Sequence, residues 1–212
     1  MKSITVRLML VLAALAVVPN ALAADSGGGN IFVDAAYGTM FGKQSSTGDT
    51  GSSSSSPTAW RADGGYRWNL DDARSLGLEV GYVHFGTIEA NSDALGFLSG
   101  NTTASAMTLG INYRYLFGAD KAWIFQARAG LMTVKFDEEY SSFPPDGRPP
   151  TSGSSSSHQG GGYFGFGIGR DITQSFSLIL ALEYYTSGDT GNYNGGNSLS
   201  QGFIGLGAEY RF

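Results

Sequence analysis

The chain has no cysteine. No disulfide can staple it, and no thiolate can serve as nucleophile or metal ligand. Charge is scarce: Asp, Glu, Lys and Arg make up 15% of the residues, against about 25% in soluble domains. Histidine occurs only at His84 and His158, which leaves little material for a catalytic or metal-binding cluster. Beyond residue 23 no hydrophobic run approaches the ~20 residues of a spanning helix, so a helical membrane protein is excluded. What the chain has in quantity is glycine, 32 of 212 residues, and aromatics, at 13%. Glycine and aromatics spread over short alternating segments are a cue for a barrel.

Met1 to Ala23 has the form of a secretory signal. Lys2 and Arg7 supply the positive start, Leu8 to Val18 the apolar stretch, and Ala21-Leu22-Ala23 a small-x-small cleavage site. Cleavage there is expected to leave residues 24–212 as one domain of 189 residues, with 11 basic and 18 acidic side chains and a net charge of −7. An acidic chain without a basic face argues against a nucleic-acid partner.

The last eleven residues, Gly202 to Phe212, read GFIGLGAEYRF. Phe212, Tyr210, Ala208, Leu206 and Ile204 share one face, and Arg211, Glu209, Gly207 and Gly205 the other, with Phe203 as an exception. Period two means a strand with two different faces. The same alternation predicts strands near 30–42, 58–68, 75–85, 103–115, 123–136, 161–170 and 176–185. Trp60, Ala62, Gly64, Tyr66 and Trp68 against Arg61, Asp63, Gly65 and Arg67 is the clearest case.

The connections alternate in length. Lys43–Pro57, Gly86–Thr102, Asp137–His158 and Thr186–Asn197 read as long polar loops; Asn69–Arg74, Phe117–Ala122 and Asp171–Ser175 as short turns. Eight strands of about ten residues, at ~3.3 Å each and tilted by roughly 40°, span the ~25 Å apolar band of an outer membrane. Long loops at one end and short turns at the other are a further property of transmembrane barrels. The expected fold is all-β: an eight-stranded antiparallel up-and-down transmembrane β-barrel. Outward aromatics are expected in two girdles: Trp68, Trp123, Phe176, Tyr210 and Phe212 at the short-turn end, and Tyr37, Phe41, Trp60, Tyr82 and Tyr184 toward the loops.

The inner face then holds Asp34, Arg61, Asp63, Arg67, Glu79, Arg128, Glu183, Glu209 and Arg211. Eight strands leave a lumen just wide enough for side chains to fill. Charges there must be paired, so a salt-bridge and hydrogen-bond network is expected to serve as a polar core, with inward glycines making room for long side chains. The sharper alternative is a switchable plug in a narrow ion path.

Leu76–Gly86 (LGLEVGYVHFG), Ala127–Gly130 (ARAG), Leu182–Tyr185 (LEYY) and the terminal GLGAEYRF together resemble the small eight-stranded outer-membrane barrel family. That family is typified by the OmpA transmembrane domain and the porin-family β-barrel domain. The resemblance covers essentially all of the mature chain. It implies insertion by the barrel-assembly machinery, with Tyr210 and Phe212 as the assembly signal, and outer-membrane lipid and lipopolysaccharide as surroundings. It also implies a monomer in the bacterial outer membrane, exported through a cleaved signal. With the chain stopping at Phe212, a cell-wall tether is not implied. An interior Glu–Arg arrangement gates some relatives, and Glu79, Arg128 and Glu183 match it in type.

Other chemistry finds little support. His84 falls in the outward phase at a strand end, and His158 follows four serines in a row, Ser154–Ser157. Neither resembles the settings of the barrel lipid A hydrolases and acyltransferases. Asp137, Glu138 and Glu139 read as a solvated acidic strand end rather than a metal site. Gly160–Gly165 matches GxGxxG without the helix that motif needs, and Asn101-Thr-Thr is a sequon without consequence in a bacterial setting. No catalytic residue, cofactor or metal is expected. The expected function is structural or surface-exposed, the alternatives being a narrow porin-like channel and a surface adhesin acting through its loops.

Overall fold

The computed structural model describes residues 28–45, 58–92, 97–143, 151–188 and 198–212. The proposed signal, residues 1–23, lies outside them. Eight strands, β1 (Gly29–Ser45), β2 (Thr58–Asn69), β3 (Arg74–Ser92), β4 (Phe97–Phe117), β5 (Trp123–Phe143), β6 (Thr151–Asp171), β7 (Phe176–Ser187) and β8 (Ser198–Arg211), follow one another in order. Each pairs antiparallel with its neighbour, and β8 returns to β1, so the sheet is a closed barrel. The last residue takes part in the closure, its backbone N–H donating to the Ile31 carbonyl at 3.0 Å.

The barrel is strongly staggered. Trp60 pairs directly with His84 on β3. Followed the other way round, through Tyr37, Leu206, Leu180, Ile168, Phe125 and Tyr115, the same row of partners arrives on β3 at Arg74. The two arrivals differ by ten residues, 84 against 74. Such a stagger tilts the strands and sets the lumen width.

Burial is inverted relative to a soluble protein. Leu131 is 72% exposed and Leu109 62%, whereas Arg67 and Glu209 are fully buried. Soluble domains almost never bury unpaired charge and rarely expose a continuous apolar belt; in lipid the belt is the favourable face. Trp68, Trp123 and Tyr210 lie exposed near the short-turn end, and Tyr37, Phe41, Trp60 and Tyr184 near the other.

The strands run past several predicted boundaries. Gly86–Thr102 is not a loop: β3 continues to Ser92 and β4 begins at Phe97. Asp137–His158 is not one either, because β5 reaches Phe143 and β6 starts at Thr151. The physical reason is that a ladder needs only backbone donors and acceptors. Where serines occupy both faces of a strand, as at Ser154–Ser157 of β6, the alternation that reveals it vanishes. Asp171, predicted in a turn, closes β6. A bulge between His84 and Gly86 inserts Phe85, and Gly86 absorbs it with φ of 91°.

Candidate functional site: a layered lumen

All nine sequence-predicted lumen residues project inward, and the structure brings them into two connected clusters. Nearest the short-turn end, Arg67 grips Glu209 with two hydrogen bonds, Nη1 to Oε1 at 2.9 Å and Nη2 to Oε2 at 2.6 Å. Arg67 Nε donates to Asn112 Oδ1 at 2.8 Å, and its guanidinium lies 3.8 Å over the Phe32 ring. Arg114 reaches the same glutamate at 2.5 Å and Asp171 at 2.6 Å. Arg211, at the mouth, donates to Ser177 at 2.8 Å and to Asp171 at 3.1 Å.

Deeper in, Glu79 accepts from Asn112 Nδ2 (2.7 Å), Arg128 Nε (2.9 Å) and the Tyr163 hydroxyl (2.7 Å). Arg128 also donates to Asp63 Oδ1 at 2.7 Å and to Glu183 Oε1 at 3.2 Å. Arg61 pairs with Asp34 and Asp63 through one nitrogen, Nη1, and its Nε lies 2.8 Å from Glu183 Oε1. The Tyr185 hydroxyl caps the other oxygen of Glu183. Asn112 joins the two clusters, since it accepts from Arg67 and donates to Glu79.

Glycines supply the space. A Cβ at Gly77 would stand 2.7 Å from Arg67 Cγ, one at Gly165 2.6 Å from Glu183 Cγ, and one at Gly130 2.7 Å from Tyr163 Cε1. Each long polar side chain lies across a neighbour that has none.

Toward the loop end the lumen changes character. Met40, Phe85, Val134, Phe136, Leu199 and Phe203 are buried together inside the barrel. Phe85 meets the Tyr185 ring edge-on at 5.1 Å, and Tyr185 stacks on Tyr163 at 5.9 Å. The expected polar core is therefore only part of the filling; an apolar stopper sits above it, and the two tyrosines bind one to the other. Phe203, which broke the pattern of the last strand, belongs to this stopper. Sequence reasoning also missed Arg114, Asn112, Gln126, Tyr163 and Tyr185, although the inward phase of their strands marks each of them.

The remaining candidates fall elsewhere. Tyr210 and Phe212 meet edge-to-face at 4.9 Å beside the closing strand pair. His84 lies 6.0 Å from the Trp60 ring, and His158 stands opposite Lys135 in the β5–β6 ladder. Asp137 pairs with Lys135 at 2.8 Å, and no metal-holding group of three or more acids, histidines or cysteines occurs among the described residues.

The outer membrane protein beta-barrel domain family matches residues 8–212. No curated protein matches the sequence. Among solved structures, the outer membrane protein OprG from Pseudomonas aeruginosa is 14% identical, with 88% of this chain and 97% of that one covered and a TM-score of 0.55. The outer membrane protease OmpT from Escherichia coli is 10% identical, with coverages of 86% and 97% and a TM-score of 0.53. Ail, the attachment invasion locus protein of Yersinia pestis, solved with the heparin analogue sucrose octasulfate, is 15% identical, with coverages of 87% and 99% and a TM-score of 0.50. At these identities the likeness is one of fold.

Proposed function

The chain belongs to the outer membrane protein beta-barrel domain family, and on that premise we propose that it is a closed-lumen barrel with a structural or surface role in the bacterial outer membrane. The observation that carries this reading is the double seal in the lumen. A solute must pass an ion-paired layer in which Arg61, Arg67 and Arg128 each hold one or more carboxylates, and then the packed Phe85–Phe136–Phe203 stopper. Opening either layer breaks buried pairs or cavitates an apolar cluster, and each costs several kcal/mol. Planar-bilayer recording of the folded protein tests the reading: silence or faint, unstable small-ion leakage is expected, and large stable ohmic steps overturn it.

The role is non-catalytic in this reading. His84 lies against Trp60 and His158 opposite Lys135, and this reading assigns neither a part in catalysis. The short-turn end faces the periplasm, and the outward Tyr210–Phe212 pair beside the barrel seam is the mark that the assembly machinery reads. Lipid and lipopolysaccharide surround a monomer.

A second reading has its own support. Strands β3 to β6 are 19, 21, 21 and 21 residues long, against 12 for β2 and for β7. Pairing of β6 with β7 starts only at Gly161, yet β6 begins at Thr151. Ten residues of strand rise about 25 Å along the barrel axis at the usual tilt. A four-strand polar wall thus stands above the membrane and offers a surface to an external partner. Cell binding by a variant whose β5–β6 hairpin is cut back to the bilayer rim, compared with the full chain, distinguishes this role from a purely structural one.

A further inference from the structure

At the short-turn end, three turns stand side by side along the rim of the barrel. The Leu116 N–H, near the end of β4, donates to the Ala73 carbonyl of the β2–β3 turn at 2.8 Å. The Asp171 N–H, at the end of β6, donates to the Ala122 carbonyl of the β4–β5 turn at 2.8 Å. This order sets charges of alternating sign in a row. Lys121 of the β4–β5 turn lies 3.9 Å from Asp72 of the β2–β3 turn, and Asp120 lies 3.7 Å from Arg170 of β6.

Both pairs are loose. All four side chains are more than half exposed, and both separations exceed the ~2.8 Å of a charge-assisted hydrogen bond. At the same end Arg74 clasps Asp71 with its Nε at 2.6 Å. Each cation and each carboxylate in the row therefore keeps room for a second partner of opposite sign. Lys121 itself sits in the left-handed region with φ of 50°, the one non-glycine residue among the described residues with a positive value. Hairpin turns usually give that place to glycine, as Gly118 of the same turn does with φ of 91°. A lysine there strains the backbone and presents a charge.

The surroundings suit a lipid headgroup layer. Trp123 is exposed at the foot of β5, with the Phe117 ring stacked at 6.4 Å and the Arg170 guanidinium 5.7 Å from its own ring. Tryptophan collects at headgroup depth. Leu70 and Ile172, in the two flanking turns, are 59% and 56% exposed, and both fit an acyl boundary.

We propose that the row Asp72–Lys121–Asp120–Arg170 binds the zwitterionic headgroup of a phosphoethanolamine glycerophospholipid in the leaflet that meets the short turns. The phosphate takes Lys121 and Arg170, and the ammonium donates to Asp72 and Asp120. A purely anionic headgroup meets the two carboxylates as repulsion, and a quaternary choline has no N–H to give them. The site rests on the membrane position proposed above.

Native mass spectrometry of the folded barrel tests it, with phosphatidylethanolamine, phosphatidylcholine and phosphatidylglycerol of identical acyl chains presented in equal amounts in detergent micelles. Wild type is expected to retain phosphatidylethanolamine over both others. Lys121→Gly relieves the backbone and removes the charge. It should keep heat modifiability and an undiminished urea midpoint, yet retain phosphatidylethanolamine about threefold less, the scale of one exposed ion contact. Arg170→Gln should lose as much, and Lys121→Arg should keep the preference. If Lys121→Gly does not fold, Arg170→Gln decides. Equal retention of the three lipids by wild type, a preference for phosphatidylglycerol, or folded variants that retain as wild type does would each overturn the site. Wild type that never becomes heat-modifiable in lipid vesicles rejects the membrane position and the site with it; folded wild type without the preference rejects the headgroup site alone.

Discussion

Arg67 on β2 reaches over the Phe32 ring of β1 to hold Glu209 on β8, with hydrogen bonds of 2.9 and 2.6 Å. Three strands on both sides of the closing seam are thus tied by one guanidinium. Neither end of the pair is solvent-exposed. Glu209→Ala leaves Arg67 and Arg114 as buried charges with one acceptor fewer. It is expected to cost about 3–5 kcal/mol, read as a lower urea midpoint for unfolding from lipid vesicles.

Leu180 faces outward in mid-band, half-exposed on the protein alone and paired with Ile168 and Leu206. Leu180→Arg places a charge in hydrocarbon and should destabilise the barrel by about 2–4 kcal/mol. Folding titrations in lipid check it, and a change near zero would contradict the face assignment.

Two glycines make a controlled comparison. A Cβ at Gly130 would lie 2.3 Å from the Leu109 carbonyl oxygen and 2.7 Å from Tyr163 Cε1, whereas one at Gly160 meets nothing within 4 Å. Gly130→Ala should cost about 1–3 kcal/mol by overpacking, and Gly160→Ala should stay within about 0.5 kcal/mol of wild type. Equal effects would mean that the lumen yields where the structure shows it filled.

In the β2–β3 turn, the Asp71 carboxylate accepts from Arg74 Nε at 2.6 Å and from the backbone N–H groups of Ala73 and Arg74. The Arg74 side chain, and then the Ala73 N–H, lower its pKa to about 2. A lowered folded-state pKa means that the turn's stabilisation is present above the ordinary aspartate value. It is lost as pH falls from there through about 2. Carboxyl-carbon NMR should find the Asp71 midpoint well below that of an ordinary aspartate, and Arg74→Gln should move it back up.

Period two made the fold readable. The phase of Trp60 to Trp68 separates lipid-facing from lumen-facing residues without ambiguity, and the same rule assigns Arg61, Asp63 and Arg67 to the inside. Phase says which face a residue occupies, not how deep it lies. Met40, Phe85, Phe136 and Phe203 share the inward phase with the arginines, and only the three-dimensional register stacks them into a separate layer. The wall was hidden for another reason. Ser154–Ser157 pair with Phe136–Glu139 as regular strand, but serine on both faces leaves no alternation to detect.

The unequal strand lengths give the barrel a heading. A cylinder with a level rim looks the same from every side in the plane of the membrane. One raised on β3 to β6 has a front and a back. In a crowded outer membrane, neighbours that approach the wall meet long paired strands, and neighbours that approach β7 meet a strand of 12 residues. Rotation about the membrane normal therefore changes what this protein presents, and lateral packing around it is directional.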